Sequence, residues 1–128
     1  MGKYAVYDPT ENVIFTDFTG LTITQEIMAA VLQDCITAAQ ALLPNKVYVL
    51  ACWENVQMVM DGNTYGEYVG QLLQHVKGII RYGANNLLVN VIIRNQTVKH
   101  HFQNTQSHLY KTRAEALEVL HKLEESGD

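Results

Sequence analysis

The residues of this chain that could carry chemistry include five histidines and two cysteines. His100 and His101 are adjacent, so their side chains diverge by about 100° on a helix and face opposite sides of a strand. His75, His108 and His121 belong to no spacing of the His-x-x-x-His or Cys-x-x-Cys type. We therefore expect no metal site, and histidines that are solvated or hydrogen-bonded.

A nucleophilic cysteine needs a base such as histidine beside it, and the two can meet in space without being close in sequence. Cys35 lies in an apolar helical stripe, and Cys52 ends a strand-like run beside Trp53. Both positions are typical of small buried apolar residues, although a pair of Cys52 with a histidine stays open. Residues 61–63 (Asp-Gly-Asn) lack the EF-hand spacing and the lysine of a phosphate-binding loop. The sequence thus predicts no catalytic residue and no cofactor, and we expect a protein that is not an enzyme.

The segment of residues 53–64 is the best candidate for binding a partner or a ligand. It leaves the carboxyl end of a predicted central strand, where sheets with crossover helices place their sites. Methionine adapts to varied apolar surfaces, and tryptophan is favoured at the centres of protein contacts. The candidate binding residues are Trp53, Val56, Met58, Met60 and Thr64. The apolar members could instead fold back over the core, and the sequence leaves both interpretations open.

Three Thr-x-x-Glu/Gln boxes predict where the helices begin. In such a box the threonine hydroxyl accepts a hydrogen bond from a free backbone N–H of the first helical turn. The boxes pair Thr22 with Gln25, Thr64 with Glu67 and Thr112 with Glu115. We therefore expect helices that begin at these three threonines.

The first half of the chain predicts a hairpin, a helix and a strand. Residues 3–7 and 13–19 are rich in β-branched and aromatic side chains and flank a polar turn at residues 8–12, which predicts a β-hairpin. Apolar residues at three- and four-residue steps after the first box predict a long helix that ends before Pro44. Residues 47–53 form an apolar run, which indicates a strand buried on both faces.

The second half predicts a helix, a strand and three shorter elements. The helix runs from Thr64 to just before Gly83, because apolar residues, including Ile79 and Ile80, recur along one side. Residues 87–93 form an apolar run that predicts a second buried strand. A helical patch around Val98 and Phe102, an edge strand at residues 109–111 and a helix from Thr112 complete the chain.

These elements predict the α/β class. Strands separated by helices require crossover connections, so we expect the strands after the hairpin to run parallel. The predicted fold is a single domain over residues 1–128, with a mixed, mostly parallel sheet, an N-terminal β-hairpin and packed helices.

Composition narrows the class of protein further. The 128 residues suffice for one domain with a core, and 48% hydrophobic with 17% charged residues is typical of a globular protein. A net charge of -4, with nine scattered lysines and arginines, argues against nucleic acid as a partner. No apolar stretch approaches the roughly 20 residues of a membrane span. With no secretory signal at the start, we expect a cytoplasmic protein without an integral membrane segment.

Three short segments resemble the STAS-like family, in particular its SpoIIAA-like branch. They are residues 18–22 (Phe-Thr-Gly-Leu-Thr), 81–83 (Arg-Tyr-Gly) and 110–117 (Tyr-Lys-Thr-Arg-Ala-Glu-Ala-Leu). The resemblance implies a STAS-like fold and a non-catalytic domain that docks onto protein partners, in some members under control of phosphorylation after a central strand. Residues 53–64 contain no serine, and helix capping explains Thr64 more simply than phosphorylation does.

The expected function is a protein-interaction module that forms a homo-oligomer and can take a protein partner. Self-association is expected because Tyr4, Tyr7, Phe15 and Phe18 of the hairpin cannot all face one side of the sheet. The alternative is a carrier of a small apolar or lipid-like ligand, because the SpoIIAA-like branch also resembles the lipid-carrying CRAL-TRIO fold in outline. A cavity of several hundred cubic ångströms would favour the carrier, and a filled core with an exposed apolar patch would favour the module.

Overall fold

The computed structural model describes residues 4–99 and 110–125. Its elements, in chain order, are β1 (Ala5–Asp8), β2 (Val13–Asp17), β3 (Thr22–Thr24), α1 (Gln25–Ala41), β4 (Tyr48–Cys52), β5 (Gln57–Val59), α2 (Gly62–Leu72), β6 (Gly78–Tyr82), α3 (Leu87–Lys99) and α4 (Arg113–Glu125). The predicted mixed α/β class, with a mostly parallel sheet and a hairpin, is confirmed.

The main sheet has the strand order β1-β2-β4-β6. β1 and β2 are antiparallel, and the predicted hairpin is confirmed. In its turn Asn12 has a φ of +57° and accepts a hydrogen bond from the Tyr7 hydroxyl at 2.7 Å. Asparagine tolerates this left-handed backbone better than most residues do. β2, β4 and β6 are parallel to one another, so helices must return the chain between them.

Helices cover both faces of the sheet. α1, α2 and α3 lie on one face and enclose the first core cluster, which includes Cys35, Trp53 and Ile79. α4 lies on the other face and encloses the second core cluster, which includes Cys52 and Ile80. Because strand order advances in one direction through β2, β4 and β6, right-handed crossovers place their helices on the same face.

The structure corrects two predicted elements in the second half. Residues 78–82 were predicted to end a helix but form β6, and residues 87–93 were predicted to be a strand but begin α3. All five residues of β6 are buried, with Ile79 and Ile80 in opposite core clusters. A strand covered on both faces shows no alternation of polar and apolar residues, so its apolar run resembles a helical one.

The start of α3 carries a capping signal. The Asn86 side chain accepts hydrogen bonds from the backbone N–H groups of Leu88 at 2.9 Å and Val89 at 3.3 Å. Asparagine is among the preferred residues at this position. Asn86 therefore marks a helix start ahead of an apolar run that by itself resembles a strand.

Of the three predicted capping boxes, one is confirmed. Thr112 accepts a hydrogen bond from the Glu115 N–H at 3.2 Å. Thr22 lies instead in β3, and Thr24 caps α1. Asp61, not Thr64, caps α2. β3 pairs with β5 in a small parallel sheet, so strand pairing places Thr22 outside the helix.

Two short predicted elements fall partly outside the described residues. Tyr110 forms a parallel bridge with Tyr82, which continues the sheet beyond β6 as the predicted edge strand requires. Val98 belongs to α3. Phe102 and Leu109 lie outside the described residues.

Candidate functional site

The structure folds much of the predicted binding segment over the core. Trp53 and Val56 are buried, and Met58 and Met60 are half-buried and pack against the first core cluster. Val59, between the two methionines, is exposed. The apolar residues of the segment thus fold back over the core, which is one of the two interpretations that the sequence left open. A role for its exposed edge in binding stays a prediction.

Trp53 lies at the centre of an aromatic row. Its ring meets Phe18 edge-on with centroids 5.0 Å apart, and Tyr65 with centroids 6.0 Å apart. Edge-to-face pairs of this kind add to the free energy gained by burying the rings. Trp53 therefore ties the sheet to α2, and it does not present a surface for a partner.

Thr64 is half-buried in the first turn of α2. Its backbone N–H and its hydroxyl both donate to the Asp61 carboxylate, at 3.1 Å and 3.3 Å. A phosphate on this hydroxyl would lie beside that carboxylate, and like charges at such a distance repel. The geometry favours a structural role for Thr64.

A small cavity lies between the sheet and the helices of the first face. Thr16, Ala51 and Arg81 are register partners on β2, β4 and β6, so their side chains form one row on this face. Trp53 also lines the cavity, which has a volume of about 40 Å³. Thr16 and Arg81 are each 1% exposed, and Trp53 is 2% exposed. The rest of the described lining is apolar apart from the Tyr65 phenol and the Cys35 thiol.

This row of residues is not predicted by the sequence pattern. Arg81 was assigned to a helix, and Thr16 was treated only as a strand residue. A signal was nevertheless present, because a charged residue inside an apolar run indicates a buried polar environment. Only the strand register shows that Thr16 and Arg81 flank the same alanine.

Two open clefts lie at the carboxyl ends of β4 and β6. They have volumes of about 330 Å³ and 270 Å³, and Asn55 and Asn85 line both. The two asparagines are joined by hydrogen bonds of 3.1 Å and 2.9 Å. Glu54, Gly83 and Lys111 complete one wall of the larger cleft. This is the usual place for a ligand in a parallel sheet, and its amides could orient a polar molecule.

The first turns of α3 expose apolar side chains on their outer face. Leu87 is 79%, Leu88 62% and Val91 45% exposed, whereas Val89 and Ile93 on the opposite face are buried. The inner face packs against α2. The three exposed side chains, which we call the α3 patch, follow from a run that is apolar all round the helix.

Both cysteines are free and buried. Burial, and secondarily the Asp34 charge, raises the pKa of Cys35 to about 12, so its thiol is neutral at physiological pH. Cys52 lies 3.3 Å from the Thr19 hydroxyl, which itself donates to Asp17 at 2.6 Å. Because that hydroxyl has a single proton, the Cys52 thiol is the donor in its contact with Thr19.

The carboxyl group of Asp17 is held in its ionised form. Hydrogen bonds from the Thr19 side chain and backbone lower the Asp17 pKa below its ordinary value of 3.8. The group beside Cys52 is therefore an anion accepting hydrogen bonds, and it offers no positive charge to stabilise a thiolate.

Of the five histidines, the structure describes His75 and His121. His121 lies 3.0 Å from a Glu11 carboxylate oxygen on the protein surface. Within the described ranges, no three histidine, cysteine or acidic side chains come close enough together to hold a metal ion. His100, His101 and His108 lie outside the described residues.

The helices and the comparisons with known proteins add two further findings. Among residues 4–99 and 110–125, no helix combines the length and the apolar composition needed to cross a lipid bilayer. Comparison of the chain with protein-family models, with curated proteins and with solved structures found no match.

Proposed function

We propose that this chain is a STAS-like, cytoplasmic protein-interaction module that is not an enzyme and that self-associates through the α3 patch. The observation that carries the proposal is the exposure of Leu87, Leu88 and Val91 on one face of a helix whose other face is packed. Covering these side chains contributes roughly 1–2 kcal/mol each, which is enough to drive a weak, reversible dimer.

A second copy of the chain fits this patch by its charge. The chain carries a net charge of -4, so copies repel one another through most of their surface. α3 contains no acidic residue and, within Leu87–Lys99, only Arg94 and Lys99 are charged. Two copies meeting there avoid acid-to-acid contact. A two-fold axis pairs identical patches, so an apolar face is complementary to itself.

The filled core supports the module over the carrier. A pocket for a drug-sized or lipid-like ligand needs a few hundred cubic ångströms, whereas the cavity between sheet and helices has about 40 Å³. The raised pKa of Cys35 and the contact of Cys52 with the Thr19 hydroxyl likewise offer no support for an enzyme.

The test is the mass of the protein in solution as a function of concentration. Sedimentation equilibrium of the wild type should show dimers that dissociate on dilution to the 14.4 kDa monomer. Leu88→Glu should remain monomeric at every concentration. An acidic residue in the first turn is favourable to the helix dipole, so this change disrupts association without weakening α3.

Leu43→Glu is the matched control. Leu43 is 59% exposed, close to the 62% of Leu88, but it follows α1 near the start of β4, at the other end of the sheet. It should dimerise as the wild type does. A wild type that stays monomeric, or equal loss of dimer in both variants, would contradict the proposal.

A further inference from the structure

The two open clefts at the carboxyl ends of β4 and β6 share a pair of asparagines that fix each other. The Asn55 backbone N–H donates to Asn85 Oδ1 at 3.1 Å, and Asn85 Nδ2 donates to Asn55 Oδ1 at 2.9 Å. Asn55 has a φ of +55°, a left-handed backbone that asparagine tolerates. The bond to Oδ1 orients the Asn55 amide, and its Nδ2 group has no partner among the described residues. This Nδ2 group is therefore available to donate to a ligand.

The larger cleft also brings together two opposite charges. Glu54 and Lys111 are the charged residues of its described lining, and both are exposed. Within residues 4–99 and 110–125, neither side chain forms an ion pair or a hydrogen bond. A Cβ on Gly83 would lie 2.5 Å from Glu54 Cγ, so the Glu54 side chain lies against Gly83 in the cleft wall. The Gly83 N–H donates to the Tyr110 carbonyl at 2.9 Å, which holds the next residue, Lys111, beside the same glycine.

These groups define the chemistry of a ligand. A carboxylate accepts hydrogen bonds from an ammonium and from an amide N–H, whereas an ammonium donates to a carboxylate. A simple ion would be attracted by one of Glu54 and Lys111 and repelled by the other. A molecule that carries both a carboxylate and an ammonium is attracted by both. The cleft has a volume of about 330 Å³, at the small end of the range for ligand sites, which suits a molecule of amino-acid size.

We propose that the larger cleft binds a free α-amino acid. Lys111 and the Asn55 Nδ2 group hold its carboxylate, and Glu54 holds its ammonium. The proposal is independent of self-association, because none of the three α3 patch residues lines either cleft.

The smaller cleft defines the side chain of the ligand. It lies against the same pair of asparagines, and its other described lining residues are Val56, Gln57 and Asn86. This lining contains no charged residue and is rich in amides, which donate and accept hydrogen bonds. An uncharged polar side chain, such as that of glutamine, asparagine or serine, is complementary to it.

The test is an NMR titration of the ¹⁵N-labelled protein with L-glutamine, L-asparagine and L-serine, each added separately. At least one of them should saturably shift the Gly83 backbone signal and the Asn55 side-chain amide signals. The half-saturation concentration should be about 1 mM, as expected for a few solvent-accessible polar contacts. The N-acetylated form of the same amino acid lacks the ammonium and should need about tenfold more.

Two variants remove one charge each and keep the size of the side chain. Glu54→Gln and Lys111→Gln change exposed residues, and unchanged unfolding midpoints would verify that both variants fold. Each should raise the half-saturation concentration about tenfold. Lys46→Gln is the matched control, because it changes the net charge as Lys111→Gln does but lies before β4, at the amino end of that strand. It should bind as the wild type does.

Three results would overturn the proposal. The first is the absence of a saturable shift with any of the three amino acids. The second is equal binding of the N-acetylated amino acid, which would show that Glu54 holds no ammonium. The third is an equal half-saturation concentration in Lys111→Gln and Lys46→Gln, which would show that Lys111 holds no carboxylate.

Discussion

Replacing Gly83 with alanine should destabilise the protein where the carboxyl ends of β4 and β6 meet. Its φ is +81°, in the left-handed region that favours glycine. A Cβ at this position would lie 2.5 Å from Cγ of Glu54 and 3.4 Å from the Glu54 backbone nitrogen. The backbone has little freedom to retreat, because the Gly83 N–H donates to the Tyr110 carbonyl at 2.9 Å and Glu54 bridges to Ala84.

The size of the effect can be worked out against a second glycine. Gly20 has a φ of +73°, and a Cβ there would meet nothing within 4 Å. Gly20→Ala should therefore cost only the backbone term, about 1–2 kcal/mol. Gly83→Ala should cost the same amount plus about 0.5–1.5 kcal/mol for forcing Glu54 out of its rotamer. The total loss in the free energy of unfolding is about 1.5–3.5 kcal/mol. For a domain of this size each kcal/mol lowers Tm by roughly 4 °C.

Urea unfolding, followed by circular dichroism and by the fluorescence of the single tryptophan, measures both free energies of unfolding. In a Glu54→Ala background, Gly83→Ala should cost no more than Gly20→Ala does. The reasoning fails if Gly83→Ala is no more destabilising than Gly20→Ala, or if Glu54→Ala leaves the excess unchanged.

Three further predictions concern the caps and the core. Trp53→Ala should lower the free energy of unfolding by about 3–5 kcal/mol in urea titrations followed by circular dichroism, and a small loss would show that Trp53 is not a core residue. Asp61→Ala should cost about 1 kcal/mol in thermal unfolding, and Thr64→Ala less, because only Asp61 caps α2; the reverse order would restore Thr64 as the cap. The folded-state pKa of Cys35, about 12, exceeds its ordinary value of 9.0, so the stability it contributes is complete below pH 9 and is lost as the pH rises towards 12. Cys35→Ala should flatten the fall of stability across that range, and an unchanged pH profile would contradict the assignment.

The sequence predicted a turn or a helix start correctly where a side chain bonds to backbone groups only a few residues away. The hairpin followed from turn residues that include Asp8 and Asn12, and the start of α4 followed from Thr112. These signals depend on atoms only a few residues apart, so the chain around them decides the outcome. The Thr22 and Thr64 boxes failed because other local partners took over the capping. Thr24 lies closer to the start of α1, and the Asp61 carboxylate competes successfully for the Thr64 N–H.

The wrong predictions in the second half, a helix at residues 78–82 and a strand at residues 87–93, have a different cause. Apolar runs carry no periodic signal when every face is covered, and residues 78–82 are buried on both sides by separate helices. Residues 87–91 expose apolar side chains as well, which weakens the amphipathic pattern at the start of α3. Whether each segment forms a helix or a strand therefore depended on the neighbouring elements that bury it.

The amino-acid sequence by itself determined the α/β class, the hairpin and the last helix start, because alternation, spacing and capping act over a few residues. Only the tertiary structure decided that residues 78–82 are the strand and residues 87–99 the helix. It alone also placed Thr16, Ala51 and Arg81 in one row, since strand register joins residues that are far apart in the chain. The same packing buried Trp53 and exposed Leu87, because burial depends on what covers a side chain as well as on how apolar it is.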